Sequence, residues 1–356
     1  MRAAYLPNPL PTDLELPTRT HRALAEAEHA LGNLNGNAQR IADRSTLVLC
    51  GRIRDARDTG APPDDDHEPV EALMFHLLSH RAPDDRAALT DLLGRHPVGR
   101  FILASAHGAE RVAAGAPIGP ELLGEIGAIL TRSGPGGTGR PALAAWADGV
   151  RAPGPLSRVA RIALAHLHLE LLRPYPEVEG HVPRLFTSLE MVRTGLLRDQ
   201  VLPLSRRLGT HHHEYHEQIR AVVRGGPLHE WIGFFADGLR AQALAQVGLV
   251  DELVGMRRAH LAAAPAPPSL YRVAGDLVTT PVLTHRTLIA RYGITVKTAI
   301  QITRRLVGLG LLTSLDDRLY NKVFVCRPVI RLLTGQRPAG QSERDGRGVR
   351  AALTAP

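Results

Sequence analysis

The segment from Leu156 to Leu172 restricts the fold more than any other part of the chain. It is almost continuously apolar. Val159, Ile162, Ala163, His166, Leu167 and Leu171 fall on one helical stripe, and Leu164, Leu169 and Leu172 fall off it. The spacing predicts a helix buried on most of its sides. Pro174 and Pro176 end it. Pro183 is expected to open the next helix, with Leu185, Leu189, Val192 and Leu196 along one face. Between the two lies the loop Arg173-Pro-Tyr-Pro-Glu-Val-Glu-Gly-His-Val-Pro-Arg184.

The rest of the chain repeats the helical theme. Alanine, leucine and arginine abound, and aromatic residues make up only 4%, a bias that favours helix over sheet. Helices are expected at His21–Ala42, with Leu24, Ala27, Leu31 and Leu34 on one face, and at Val70–His80, Arg86–Leu93, Val98–Ala106 and Pro120–Leu130. Two more are expected from about Thr210 to Arg224 and from Leu228 to about Val247. Pro62–Glu68 and Ser133–Gly139 read as loops. The second is Gly-rich, but no Gly-Lys-Ser/Thr follows it, so it is not a phosphate-binding P-loop.

The 356 residues suffice for two domains. The expected layout is an irregular leader 1–20, a helical domain 21–260 with its core at about 95–250, and a linker 261–268. A second domain 269–333 and a disordered tail 334–356 follow. No apolar run is long enough for a membrane span, and the N-terminus lacks the apolar core of a signal peptide. Cys50 and Cys326 form neither a metal motif nor a disulfide framework, and the chain reads as reduced and cytoplasmic.

Charge is concentrated in the second domain. Ser269–Leu333 holds ten Lys/Arg and three Asp/Glu, so +7 of the chain's +8 sits there. That points toward a polyanion, although a solvated basic face has the same composition. The pattern over Leu270–Leu333 is helix, helix, turn, helix, hairpin. Thr284 and Thr295 stand at N-cap positions. Val296, Ala299, Ile300, Thr303, Leu306 and Val307 are expected to face inward from the third helix. Lys297, Thr298, Gln301, Arg304 and Arg305 supply its polar, basic face. Asp316-Asp-Arg318 makes the hairpin turn, with Arg318 and Lys322 placed for phosphates. The segment resembles the winged-helix domains of bacterial transcription regulators. The resemblance implies DNA binding, with protein contact or homodimer packing as the other use of such a module.

A loop that ends at a helix N-terminus suits an anion, and this one resembles the motif of the Fic (Fido-domain) family, His-Pro-Phe-x-Asp/Glu-Gly-Asn-Gly-Arg-x-x-Arg. Pro174, Glu177, Gly180 and Arg184 match in register, and Tyr175 replaces Phe. His166 precedes the loop as a His does in the family. The flanking helices also resemble the family's, so the likeness spans roughly Leu24–Leu253. It implies a mainly α fold: a helical Fic domain, then a winged helix with a small β-hairpin. It also implies an enzyme that transfers AMP to a protein hydroxyl, with ATP and Mg²⁺ as cofactors and Glu177 holding the metal. Glu177, Gly180, His181 and Arg184 would be its nucleotide-binding residues.

The departures fall on the chemistry. The family's general-base His is Arg173, a guanidinium with no acceptor lone pair. Val178 replaces a turn glycine, Glu179 replaces Asn where phosphates would sit, and His181 replaces the first Arg. General acid–base help is worth roughly 10²–10⁴-fold, and each lost donor to charge costs roughly 10²–10³-fold more. AMP transfer by the family route is therefore not expected. An altered chemistry would need Glu177, Glu179 or His181 in a new role. The Ser-x-x-x-Glu-Gly inhibitory helix of many Fic proteins has no counterpart in Ile53–Thr59, where Arg57 falls near the Glu position. His211, His212, His213 and His216 read as a surface cluster, His166 as a satisfied core histidine, and Tyr215, Trp231, Phe234 and Phe235 as core. Three functions follow for comparison: an inactive Fic-derived DNA-binding regulator, an active transferase, and a protein-interaction module using the Fic groove.

Overall fold

The computed structural model describes residues 11, 13–57, 93–132, 140–178, 180–204, 212–314 and 322–334. The expected helices at Val70–His80 and Arg86–Leu93, the loops Pro62–Glu68 and Ser133–Gly139, and nearly all of the tail lie outside them, apart from Leu93. The described residues fall into two compact units, one ending at Gly248 and the other starting at Leu249.

The first unit is helical: α1 (Thr18–Ala38), α2 (Ser45–Arg57), α3 (Pro97–Ala113), α4 (Pro120–Thr131), α5 (Arg140–Arg151), α6 (Arg158–Leu172), α7 (His181–Arg193), α8 (His212–Val223) and most of α9 (Leu228–Ala263). α6 is the central element. Ser157 caps it by accepting from the Ala160 N–H at 3.3 Å. Every residue from Val159 to Leu169 on it, apart from the half-buried Arg161, is buried, as the off-stripe leucines required. Helices α1, α5 and α7 pack against it. Two buried indoles satisfy their N–H groups on its carbonyls, Trp146 on Ala165 O at 3.1 Å and Trp231 on Ala163 O at 2.8 Å. The inward residues of α1 are the expected ones, Leu24, Ala27, Leu31 and Leu34.

Several boundaries differ from expectation. α1 starts at Thr18, inside the stretch assigned to the leader. α7 opens at His181, and Pro183 sits in its first turn, where a missing N–H costs no helical bond. Leu196 lies beyond the end of α7. α9 continues to Ala263, well past Val247. Gly248 and Gly255 weaken a helix by only about 1 kcal/mol each, and no proline breaks the chain before Pro265.

The second unit holds the end of α9, α10 (Pro268–Asp276), β1 (Val282–Leu283), α11 (His285–Tyr292), α12 (Val296–Gly308), β2 (Thr313–Ser314), β3 (Phe324–Val325) and α13 (Arg327–Thr334). The strands form an antiparallel sheet in the order β1-β3-β2, with Val282 opposite Val325 and Thr313 opposite the same residue on the other side. Thr284 and Thr287 form a reciprocal capping box at the start of α11. Gly293, with φ +63°, makes the turn to α12, and Thr295 caps α12. Two elements escaped the sequence reading. β1 is too short to show alternation. α13 follows the hairpin and buries Val329, Ile330 and Leu333, an i, i+1, i+4 pattern that was present to be read. The fold is mainly α with one small antiparallel sheet. Among the described residues no helix is long and apolar enough to cross a membrane.

Candidate functional site

The loop between α6 and α7 begins where α6 loses its ladder. Arg173 caps the helix in the left-handed region, φ 43° and ψ 57°, and its side chain is exposed. Pro174 then blocks continuation. Tyr175 turns inward and lies on α4. Its ring is so close that a Cβ on Gly127 would meet Cζ at 2.2 Å. Glu177 is exposed on a 3₁₀ turn, Pro176–Val178. Glu179 lies outside the described residues. Gly180 is the N-cap of α7 with φ +74°, a conformation that favours glycine.

Arg184 folds back, its Nε donating to Gly180 O at 2.8 Å. His181 is half-buried with its ring 5.2 Å from Phe101. Burial, and then the charge of Arg184, lowers its pKa to about 4, so it is neutral at pH 7. It does not replace the charge of an arginine. Of the first three helical residues only His181 and Val182 have N–H groups, because the third is Pro183. Glu170 borders a shallow concavity that the loop lines together with Gly180 and Val182. Its Oε1 is 3.7 Å from where a Cβ on Gly180 would stand.

Beneath the loop is a chain of buried polar groups that sequence reading did not assemble. His166 is fully buried. Its Nδ1 meets Thr187 Oγ1 at 2.8 Å and its Nε2 meets Tyr215 Oη at 2.8 Å. Tyr215 Oη donates to Glu170 Oε1 at 2.7 Å, and Thr187 Oγ1 bonds Pro183 O at 3.0 Å. Burial, then the charge of Arg184, lowers the His166 pKa to about 3. His166 is thus a satisfied core histidine, neutral, and it ties α6, α7 and α8 together under the loop. His166 and Glu170 stand one helical turn apart, which the sequence displays. Tyr215 comes from a separate helix, which it does not.

These groups do not fit magnesium–nucleotide. Glu170, Glu177 and Glu179 outnumber Arg173 and Arg184 in the loop and the helix end beneath it, so the local balance repels a triphosphate. Among the described residues no group of three His, Cys, Asp or Glu could hold a metal ion. In the histidine run, His213 is exposed and His216 is half-buried against the Tyr215 ring at 5.4 Å. His211 lies outside the described residues. Ile53 to Arg57 end α2, with Ile53 and Asp55 buried.

The other candidate surface is α12. Its buried residues are Ala299, Ile302, Thr303 and Leu306. Lys297, Gln301, Arg304 and Arg305 are exposed. Thr298 is half-exposed and bonded to Thr295 Oγ1 at 2.9 Å. Lys322 is half-exposed beside β3, and Arg318 lies outside the described residues. One expectation is corrected. Val296, Ile300 and Val307 do not face inward but are 59%, 37% and 41% exposed, and Ile302 takes the inward place. α12 meets α10 and α11 along one narrow face, spaced i, i+3, i+4 and i+7, which leaves the flanking aliphatic residues in solvent.

No protein-family model matches this chain, and no curated protein matches it either. Among solved structures it is similar to a Fic family protein from Desulfovibrio desulfuricans G20. The TM-score is 0.50 and the identity 11%, over 88% of this chain and 97% of that one. At that identity the likeness establishes the fold, and the chain shares the Fic fold.

Proposed function

We propose that this Fic-fold chain is a DNA-binding regulator whose loop no longer transfers AMP. The observation that carries the DNA half is the set of cations on α12. Lys297, Arg304 and Arg305 are exposed and without an ion-pair partner among the described residues. They stand on the second helix of a helix-turn-helix followed by a hairpin, a winged-helix arrangement in which that helix enters the major groove. Gln301 offers a bidentate amide for adenine, and the exposed Val296 and Ile300 offer apolar contact to thymine methyl groups. Lys322, beside β3, and Arg318, between β2 and β3 in sequence, are assigned to phosphates.

The loop half rests on Arg173 in place of a base, on a neutral His181 and on the acidic balance around Gly180. ATP and Mg²⁺ have no fitting site there. A cytoplasmic location is consistent with two buried free thiols, Cys50 and Cys326. A second reading has one observation in its favour. The exposed Val296, Ile300 and Val307 also suit protein contact or homodimer packing. Duplex titration across a salt series separates the two: log affinity that falls linearly with log salt supports DNA binding. Absence of any DNA affinity at low salt, with the chain folded, leaves the protein-contact reading.

A further inference from the structure

α12 presents three faces. Ala299, Ile302, Thr303 and Leu306 are buried, and Lys297, Gln301, Arg304 and Arg305 are exposed and polar. Between these sectors runs a third, of Val296, Ile300 and Val307, which are 59%, 37% and 41% exposed. Their spacing of i, i+4 and i+11 keeps them within about 40° of one another at about 100° per residue. Helix stability gives no reason for them, because β-branched residues at exposed positions form helix less readily than alanine.

Two observations bear on what covers this stripe. The first is charge. α12 carries Lys297, Arg304 and Arg305 and no acid, so it favours an anionic partner. A second copy of the chain, packed helix to helix, would set three cations against three. The second is position. Val296 is the first residue of α12, directly after the N-cap Thr295, and Ile300 stands one turn on. In a helix-turn-helix the N-terminal residues of this helix meet base edges. The two side chains are about 6 Å apart along the axis, nearly two base steps of about 3.4 Å. The major groove is a polyanionic surface whose apolar spots are the C5-methyl groups of thymine, and a cytosine methylated at C5 shows the same group there. Side chains that β-branching holds in one χ1 rotamer meet a methyl group with little entropy to lose.

We propose that Val296 and Ile300 read C5-methylated pyrimidines, thymine or 5-methylcytosine, in the major groove, while Lys297, Gln301 and Arg304 hold the helix there. Affinity then depends on the methyl groups as well as on phosphate charge. This rests on the reading of α12 as a DNA-binding helix and names what that helix selects.

The test lets the full chain enrich its tightest sites from two random-sequence duplex pools. One pool has thymine and cytosine, the other uracil and 5-methylcytosine. Each enriched duplex is then remade without its methyl groups, thymine to uracil in the first and 5-methylcytosine to cytosine in the second. Affinity should fall about fourfold for each methyl contacted, the scale of one buried carbon. A fall in the first set assigns thymine, a fall in the second assigns 5-methylcytosine, and a fall in both assigns the methyl group itself. Val296→Ala with Ile300→Ala should keep a cooperative melt and bind each duplex and its stripped form alike. Salt-dependent binding that ignores the methyl groups in both sets would overturn methyl reading and leave DNA binding standing. No affinity for any duplex at low salt would overturn both. A homodimer that sediments as a monomer once Val296 and Ile300 are alanine would give the stripe to a second copy instead.

Discussion

Tyr175 and Gly127 show how one residue choice fixes another far away in sequence. The tyrosine ring fills the space that a side chain at position 127 would need, at 2.2 Å from its first carbon. Gly127→Ala should therefore destabilise the fold by about 1–3 kcal/mol, the usual cost of overpacking, measured as a lower urea midpoint at unchanged slope. The buried histidines make a second residue-scale prediction. His166 and His181 have folded-state pKa values of about 3 and about 4, below the ordinary 6.5. The unfolded chain then binds more protons as pH falls below 6.5, so stability is intact above that pH and is lost toward the folded values. Each should contribute a slope of up to about 1.4 kcal/mol per pH unit in that window. Urea melts from pH 7 to pH 5 should show the loss. In His181→Asn the dependence should be shallower by about the share of one group, and an unchanged slope would rule out His181 as a source.

At the scale of elements, α12 separates folding from binding on two faces. Ala299 and Leu306 are fully buried, while Arg304 and Arg305 are exposed. Ala299→Asp places an uncompensated charge in a small core and should unfold the second unit, visible as loss of its cooperative melt. Arg304→Ala with Arg305→Ala should keep that melt and weaken duplex binding. With about four phosphates neutralised by Lys297, Arg304, Arg305 and Lys322, log affinity should fall with log salt at a slope of about −3.6. The double variant should reduce the steepness by about two phosphates' worth, and an unaltered slope would remove these arginines from the interface. The α6–α7 loop has its own element-scale test. Restoring the family pattern with Arg173→His, Val178→Gly, Glu179→Asn and His181→Arg should raise affinity for magnesium–ATP in a calorimetric titration. No gain in a well-folded variant would count against the register of the motif.

For the whole molecule, the expected behaviour is negative in one assay and positive in another. Incubated with labelled ATP, Mg²⁺ and a lysate, the chain should place no AMP on itself or on other proteins. Labelling that disappears in Glu177→Ala would show that the loop has kept a transferase chemistry without a histidine base. The same preparation should bind duplex DNA at low salt. The two outcomes together define a Fic-fold regulator, whereas no labelling together with no DNA binding leaves an interaction module.

The sequence by itself determined the helical class, the buried character of α6 and the caps at Thr284 and Thr295 that two helix starts use. Those features are local, set by side-chain periodicity over a few turns and by prolines and caps acting on the nearest backbone groups. Helix length was less legible. α9 runs through Gly248 because a glycine lowers helix stability without forbidding it, and neighbouring packing decides. The facing of Val296, Ile300 and Val307 was misread because apolar residues outnumber the inward places on α12, and only its contacts with α10 and α11 select among them. Only the tertiary structure brought Tyr215 to His166 and Glu170 to the rim of Gly180. Such groups meet across separate helices, and no periodicity in one helix records where the side chains of another arrive.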